Sequence, residues 1–235
     1  MPISIVFQHG WGFDHRFFEP LVGVLAERLH PSTRFFVLDQ GYGGEPRALP
    51  QSAFLDAKVR IVVAHSFGLH LVTPILAHGV TMVVAISSFA GFCEDHGVSG
   101  TLEKRLVQRM QNRLARDAEG CLQEFQANCF GLVNGQEAPP EWRAFSGIDK
   151  YLLLADLGRL STERLTAAQF EKVDQALILH GAADTIVSAD RAEELSKVLP
   201  QAEVRILDGA PHALPYLHPE WCAGMIEQAI SSIEV

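Results

Sequence analysis

Apolar residues fall in short runs that alternate between two periods along this chain. Compact β-branched and aromatic runs occupy residues 3–8, 34–38, 59–63, 82–87, 176–180 and 203–207. Each is too short for a buried helix, and polar or glycine-rich turns bound it, so each predicts a strand. Between them, residues 17–29, 68–78, 189–199 and 220–230 show the three-to-four spacing of helices packed on one face. Strands alternating with helices predict a doubly wound, largely parallel six-stranded sheet. The alternation breaks between the fourth and fifth strands. There the pattern is helical only, over 102–115, 119–130 and 148–157, punctuated by Gly97, Gly100, Gly131, Gly135 and Pro139-Pro140. This divides the chain into a core segment 1–90, a helical insertion 91–166 and a second core segment 167–235. An insertion at that edge of the sheet is expected to cap a site.

Composition narrows the class. The 235 residues are 48% hydrophobic and 20% charged, as for one globular domain with a moderate insertion. A net charge of −9 argues against nucleic acid or an anionic membrane as partner. The four cysteines, Cys93, Cys121, Cys129 and Cys222, have no metal-ligand spacing and read as free thiols in a reducing compartment. The chain enters its first strand at Ile3 with no charged, apolar leader, and no apolar run approaches the ~20 residues of a spanning helix. The expected location is cytoplasmic.

The chemistry begins at residues 59–70. A β-branched run ends in Ala64-His65-Ser66-Phe67-Gly68, and a helical pattern follows. A sharp strand-to-helix turn needs small residues two positions either side of its apex, and Ala64 and Gly68 supply them. Such a turn lifts the Ser66 hydroxyl to a helix N-terminus, where backbone N–H groups favour negative charge. The bland alternative is an ordinary helix cap. A base and an acid are also present. Asp184 lies one loop past the strand 176–180, and His212 follows Gly209-Ala210-Pro211 beyond the strand 203–207. All three sit past strand C-termini, where chemistry gathers in a parallel sheet. Asp174, Asp190 and Asp208 compete with Asp184 for the acid. His65, His70, His180 and His218 read as structural, and none forms a metal motif.

The order Ser66, Asp184, His212, together with His9-Gly10-Trp11-Gly12, Asp39 with Gly41 and Gly43, His180-Gly181 and His218-Pro219-Glu220, resembles the α/β-hydrolase superfamily over nearly the full length. A narrower resemblance is to the pimeloyl-acyl-carrier-protein methyl ester esterases of biotin synthesis. It rests on His9-Gly10-Trp11-Gly12, Ala85-Ile86-Ser87-Ser88, residues 125–131, Leu152-Leu153 and Asp156-Leu157. The resemblance implies an α/β-hydrolase fold with a helical cap. It implies catalysis by Ser66, Asp184 and His212, with the backbone N–H groups of Trp11 and Phe67 as oxyanion hole, and neither cofactor nor metal. Two departures stand out: Ala64 replaces the usual glycine and Leu69 a small residue, and the usual N-terminal hairpin is missing.

The first insertion helix carries Arg105, Arg109, Arg113 and Arg116, which span about 80° of its circumference. On an acidic protein this stripe suits an acidic partner such as acyl carrier protein, against the alternative of a solvated face. The expected activity is a serine carboxylesterase acting on a small acyl ester, with the carrier-bound pimeloyl methyl ester as first candidate. The alternatives are another esterase, thioesterase or lyase of the same fold, or a non-catalytic ligand receptor.

Overall fold

The computed structural model describes residues 2–93, 97–132, 139, 142 and 147–233. Gly135 and Pro140, named above as punctuation in the insertion, lie outside the described residues. Six strands form one sheet: β1 (Ile3–Gln8), β2 (Arg34–Val37), β3 (Val59–His65), β4 (Val80–Ile86), β5 (Val173–Gly181) and β6 (Ala202–Leu207). Their spatial order is β2-β1-β3-β4-β5-β6, and every pairing is parallel, as the alternation of elements predicts. The helices are α1 (Glu19–Arg28), α2 (Gly68–Leu71), α3 (Thr73–Leu76), α4 (Gly97–Arg116), α5 (Ala118–Cys129), α6 (Lys150–Leu160), α7 (Asp190–Ser196), α8 (Leu214–Leu217) and α9 (Pro219–Ser231). None of the described helices is long and apolar enough to cross a membrane. This is an α/β-hydrolase fold.

Period two along the strands divides the core into two layers. Ile5, Phe7, Ile61, Val63, Val84 and Leu179 face one side of the sheet and pack on Leu21 and Leu25 of α1 and Cys222 and Ile226 of α9. Val6, Val62, Ala64, Val83, Ala85 and Ile178 face the other and pack on Leu69, Leu76 and Leu195. The central strands are buried on both faces, which explains why they read as unbroken apolar runs. Edge strand β6 alternates instead, and Glu203 and Arg205 point to solvent and pair with each other. Charges on an edge discourage pairing with another chain.

One helix differs from expectation. Residues 68–78 form two short helices, α2 and α3, with Val72 between them. Pro74 has no N–H to offer the carbonyl of His70, and the Thr73 hydroxyl donates to that carbonyl instead, at 3.0 Å. The insertion supplies a third apolar cluster, in which Val107 and Leu114 of α4, Leu122 of α5 and Leu153 and Leu157 of α6 meet Trp11, Tyr42 and Phe67 of the core. Its ends come together. Gly91 and Arg164 form an antiparallel bridge, and the Leu165 N–H donates to the Ala90 carbonyl.

Glycine is required where backbones touch. A Cβ on Gly181, at the end of β5, would lie 2.2 Å from the Ala210 carbonyl oxygen in the loop after β6. Neither atom belongs to a side chain that could swing away. Gly181→Ala is expected to lower stability by about 2–3 kcal/mol, the scale of forced overpacking. Gly23, exposed within α1 with no atom near its Cβ direction, is the control, and Gly23→Ala should gain about 0.5–1 kcal/mol of helix propensity. Urea unfolding midpoints test the pair. Equal midpoints would show that the β5 and β6 loops are free to separate.

Candidate active site

Four loops converge at the C-terminal edge of the sheet. The turn after β3 holds Ser66 with φ +53°, a left-handed conformation that costs a non-glycine residue about 1–2 kcal/mol. The neighbours explain why it persists. The Ser66 N–H donates to the Ile86 carbonyl at 2.9 Å, and its carbonyl accepts from the Ser88 hydroxyl at 2.8 Å. On the other side, a Cβ on Gly68 would lie 2.5 Å from the Gln8 carbonyl oxygen, and one on Gly10 would lie 2.9 Å from Ser66 Cβ. The turn is wedged between the ends of β1 and β4.

His212, in the loop after β6, is fully buried, and its Nδ1 donates to Asp184 Oδ2 at 2.7 Å. Its Nε2 is buried without a hydrogen-bond partner, which leaves one lone pair unoccupied. Asp184, in the loop after β5, accepts at Oδ1 from the N–H groups of Ile186 and Val187, both at 2.9 Å. Both carboxylate oxygens are thus fixed. The rivals Asp174, Asp190 and Asp208 are exposed. Two histidines expected to be structural sit against this pair. His180 Nε2 lies 2.9 Å from the Val187 carbonyl and 3.3 Å from Asp184 Oδ2. His65 donates from Nε2 to the His212 carbonyl at 3.1 Å, and the two rings lie 4.7 Å apart. Their side-chain roles were hidden in the sequence because each residue only continues an apolar strand pattern.

Burial alone would raise the Asp184 carboxyl. The charge of His212, hydrogen bonds from His180 and His212, and the Val187 N–H outweigh it and hold the group well below the usual carboxylate range. Burial, followed by the charge of His212, keeps His65 neutral by pushing it well down. His70, packed beneath the Phe67 ring at 5.3 Å, is pushed down to about 4 by burial. The Arg159 guanidinium lies 5.1 Å from the centre of the same ring. Phe67 therefore packs against both side chains. Among the described residues, the backbone N–H groups of Trp11 and Phe67 take no hydrogen-bond partner.

Ser66, Trp11 and Phe67 open onto a cavity of about 360 Å³. Its walls are mainly apolar: Phe89 and Ile186 from the core, Leu106, Val107 and Met110 from α4, Phe125 from α5, and Leu157 and Leu160 from α6. Polar bonds moor the cap above it. The Trp11 indole donates to the Leu153 carbonyl, Gln126 to the Gly12 carbonyl, and Asp156 of α6 accepts from the Tyr42 hydroxyl at 2.7 Å and from Gln40 at 3.1 Å. The pattern of apolar positions gave no sign of these. The structure also separates the four arginines. Arg109 and Arg113 line the cavity, whereas Arg105 and Arg116 do not. Arg113 pairs with Glu124, and Arg116 Nε turns to the Asn112 carbonyl.

Asp14, His15 and Asp39 bring ligand atoms within 4.8 Å of one another. Those atoms are already engaged: Arg16 grips the Asp14 carboxylate, and His15 Nδ1 lies 2.7 Å from Asp39 Oδ2. Asp39 also accepts the N–H groups of His15 and Gly41. The group is a hydrogen-bonded brace between the loops after β1 and β2.

Residues 5–225 match the model of the alpha/beta hydrolase family, and the chain belongs to that family. Hydrolase is the class of activity that membership supports. Solved structures share the fold at low identity. A bromoperoxidase from Bacillus anthracis is 18% identical with a TM-score of 0.76, over 99% of this chain and 93% of that one. An esterase from Exiguobacterium antarcticum is 17% identical with a TM-score of 0.78, over 97% and 91%. An enol-lactonase from Burkholderia xenovorans LB400 is 16% identical with a TM-score of 0.75, over 98% and 92%. No curated protein matches.

The depressed Asp184 carboxyl has a consequence for stability. A group whose folded-state value lies below its unfolded one, here 3.8, contributes fully above that value, and the contribution is lost as pH falls from there toward the folded-state value. Asp184→Asn removes the effect. The gap in urea midpoint between wild type and variant is therefore expected to be wider at about pH 7 than at about pH 3. A gap independent of pH would show that Asp184 titrates alike in both states.

Proposed function

We propose that this protein is a serine hydrolase of carboxylic esters. One observation carries the reading: His212 is locked to Asp184 through Nδ1 while its Nε2 stays open, on the same sheet edge as a left-handed Ser66 in a cavity wall. Ser66 Oγ attacks the ester carbonyl as His212 Nε2 takes its proton, and Asp184 stabilises the imidazolium. The unclaimed N–H groups of Trp11 and Phe67 hold the oxyanion. His212 then returns the proton to the departing alcohol, leaving an acyl-Ser66 ester. Water, deprotonated by the same histidine, releases the acid. The apolar walls suit an acyl chain of moderate length.

Ser66→Ala is expected to abolish turnover of 4-nitrophenyl esters, since related triads lose about a millionfold in kcat. Asp184→Asn should cost about 10⁴, as loss of the orienting acid does in a well-studied protease. A fluorophosphonate probe should label wild type and not Ser66→Ala. A tenth of wild-type activity left in Ser66→Ala, or no labelling of wild type, would overturn the nucleophile and favour a ligand receptor.

The narrower substrate is the methyl ester of a pimeloyl chain on acyl carrier protein. It is supported by the sequence resemblance and by the basic face of α4, where Arg105, Arg109 and Arg116 are exposed. Attraction between exposed charges weakens as the Debye length shrinks from about 10 Å at 0.1 M salt to about 3 Å at 1 M. kcat/KM for a carrier-linked ester is therefore expected to fall steeply with salt while that for a free methyl ester stays nearly level. Parallel behaviour of the two substrates would remove the carrier protein.

A further inference from the structure

The cavity at Ser66 contains a charge that its walls do not balance. Residues 106, 109, 110 and 113 follow the i, i+3, i+4, i+7 spacing, so a single face of α4 covers the cavity and brings Arg109 and Arg113 into its lining. Glu124 of α5 lines the same cavity and pairs with Arg113, which also donates to the Gly120 carbonyl at 3.3 Å. That pair is closed. Among the described residues, Arg109 makes no hydrogen bond or ion pair and stands exposed at the rim. The cavity's remaining polar residues, Ser66, Asn128 and Thr185, carry no charge. A lone guanidinium beside apolar walls draws an anion into the site, and its planar fork fits a carboxylate with two parallel bonds.

We propose that Arg109 is the specificity-determining residue of the Ser66 cavity, and that it selects acyl esters carrying a free carboxylate at the far end of the chain, the half-esters of dicarboxylic acids. The apolar lining takes the methylene chain, Ser66 the ester carbonyl and Arg109 the distal carboxylate. This rests on Ser66 as the nucleophile and stands apart from the carrier-linked substrate, whose far end is a thioester and offers Arg109 no carboxylate. Arg109 binds a part of the substrate that does not react, so its removal acts through KM and leaves kcat close to wild type.

The test compares mono-4-nitrophenyl esters of dicarboxylic acids from adipate to sebacate with 4-nitrophenyl esters of the unbranched monocarboxylic acids of equal length. Wild type is expected to favour the half-ester about tenfold in kcat/KM at one preferred length, the scale of one hydrogen-bonded charge. Arg109→Gln should remove the preference through KM, and Arg109→Glu should invert it, each read as the ratio of kcat/KM for the half-ester to that for the uncharged ester of equal length. Lys104→Glu makes the same charge change as Arg109→Glu, on an exposed residue of α4 outside the cavity lining, and should leave the preference in place. Loss of the preference in Lys104→Glu as well would reduce the effect to the general field of the helix and overturn the proposal. So would a wild type that hydrolyses both series equally, which would leave the ester hydrolase standing. If wild type cleaves neither series, the nucleophile has failed and binding decides Arg109. Calorimetry should then show monomethyl adipate binding to wild type and not to Arg109→Gln, and equal binding would overturn the proposal.

Discussion

Everything at the catalytic edge depends on backbone meeting backbone with no side chain between. At Gly68 the chain passes so close to the Gln8 and His9 carbonyls that even a methyl group would collide, and a methyl group on Gly10 would press on Ser66 in turn. This contact seats the turn after β3 against the loop after β1. The two unclaimed N–H groups, on Trp11 and Phe67, belong to these two segments, so the same closeness that excludes a Cβ brings them to one cavity. Gly181 repeats the arrangement at Ala210, where it joins the loop of Asp184 to the loop of His212. Two contacts of this kind assemble a site from four loops that share no helix.

The sequence was legible where one residue's surroundings decide its type. Strands buried on both faces showed as apolar runs, and Ser66, Asp184 and His212 could be placed because each follows such a run. Partners across space were not legible. His180 and His65 read only as the ends of apolar strands, yet the fold sets one against Asp184 and the other against His212. The arginines of α4 read as a single stripe because helical periodicity gives an angle and not a neighbour. Only the position of α5 separates Arg113, closed by Glu124, from Arg109, left open. The break between α2 and α3 could have been foreseen from Pro74, whose ring and missing N–H interrupt any helix that spans it.

Cap and core divide their work by chemistry. The surfaces facing the cavity are apolar and impose little direction on a ligand, which leaves selection to the few polar groups at the rim. To its apolar contacts with the core the cap adds polar, directional attachments. Asp156 is almost completely buried and gathers the Tyr42 hydroxyl, the Gln40 amide and the Arg159 guanidinium. A buried carboxylate stripped of such partners is costly, so these three bonds favour a single geometry at the junction.

The Trp11 indole, hydrogen-bonded to the Leu153 carbonyl of α6, couples that junction to the chemistry. The residue whose side chain grips the cap is also the one whose main chain is proposed to hold the oxyanion. The loop itself stays seated whatever the indole does, because Gly10 lies against Ser66 and the Asp14, His15 and Asp39 brace ties it to the loop after β2. The bond to Leu153 adds an anchor from the cap to the same short stretch of backbone, so a change in α6 is felt one residue from Gly10 rather than at a distance from the serine.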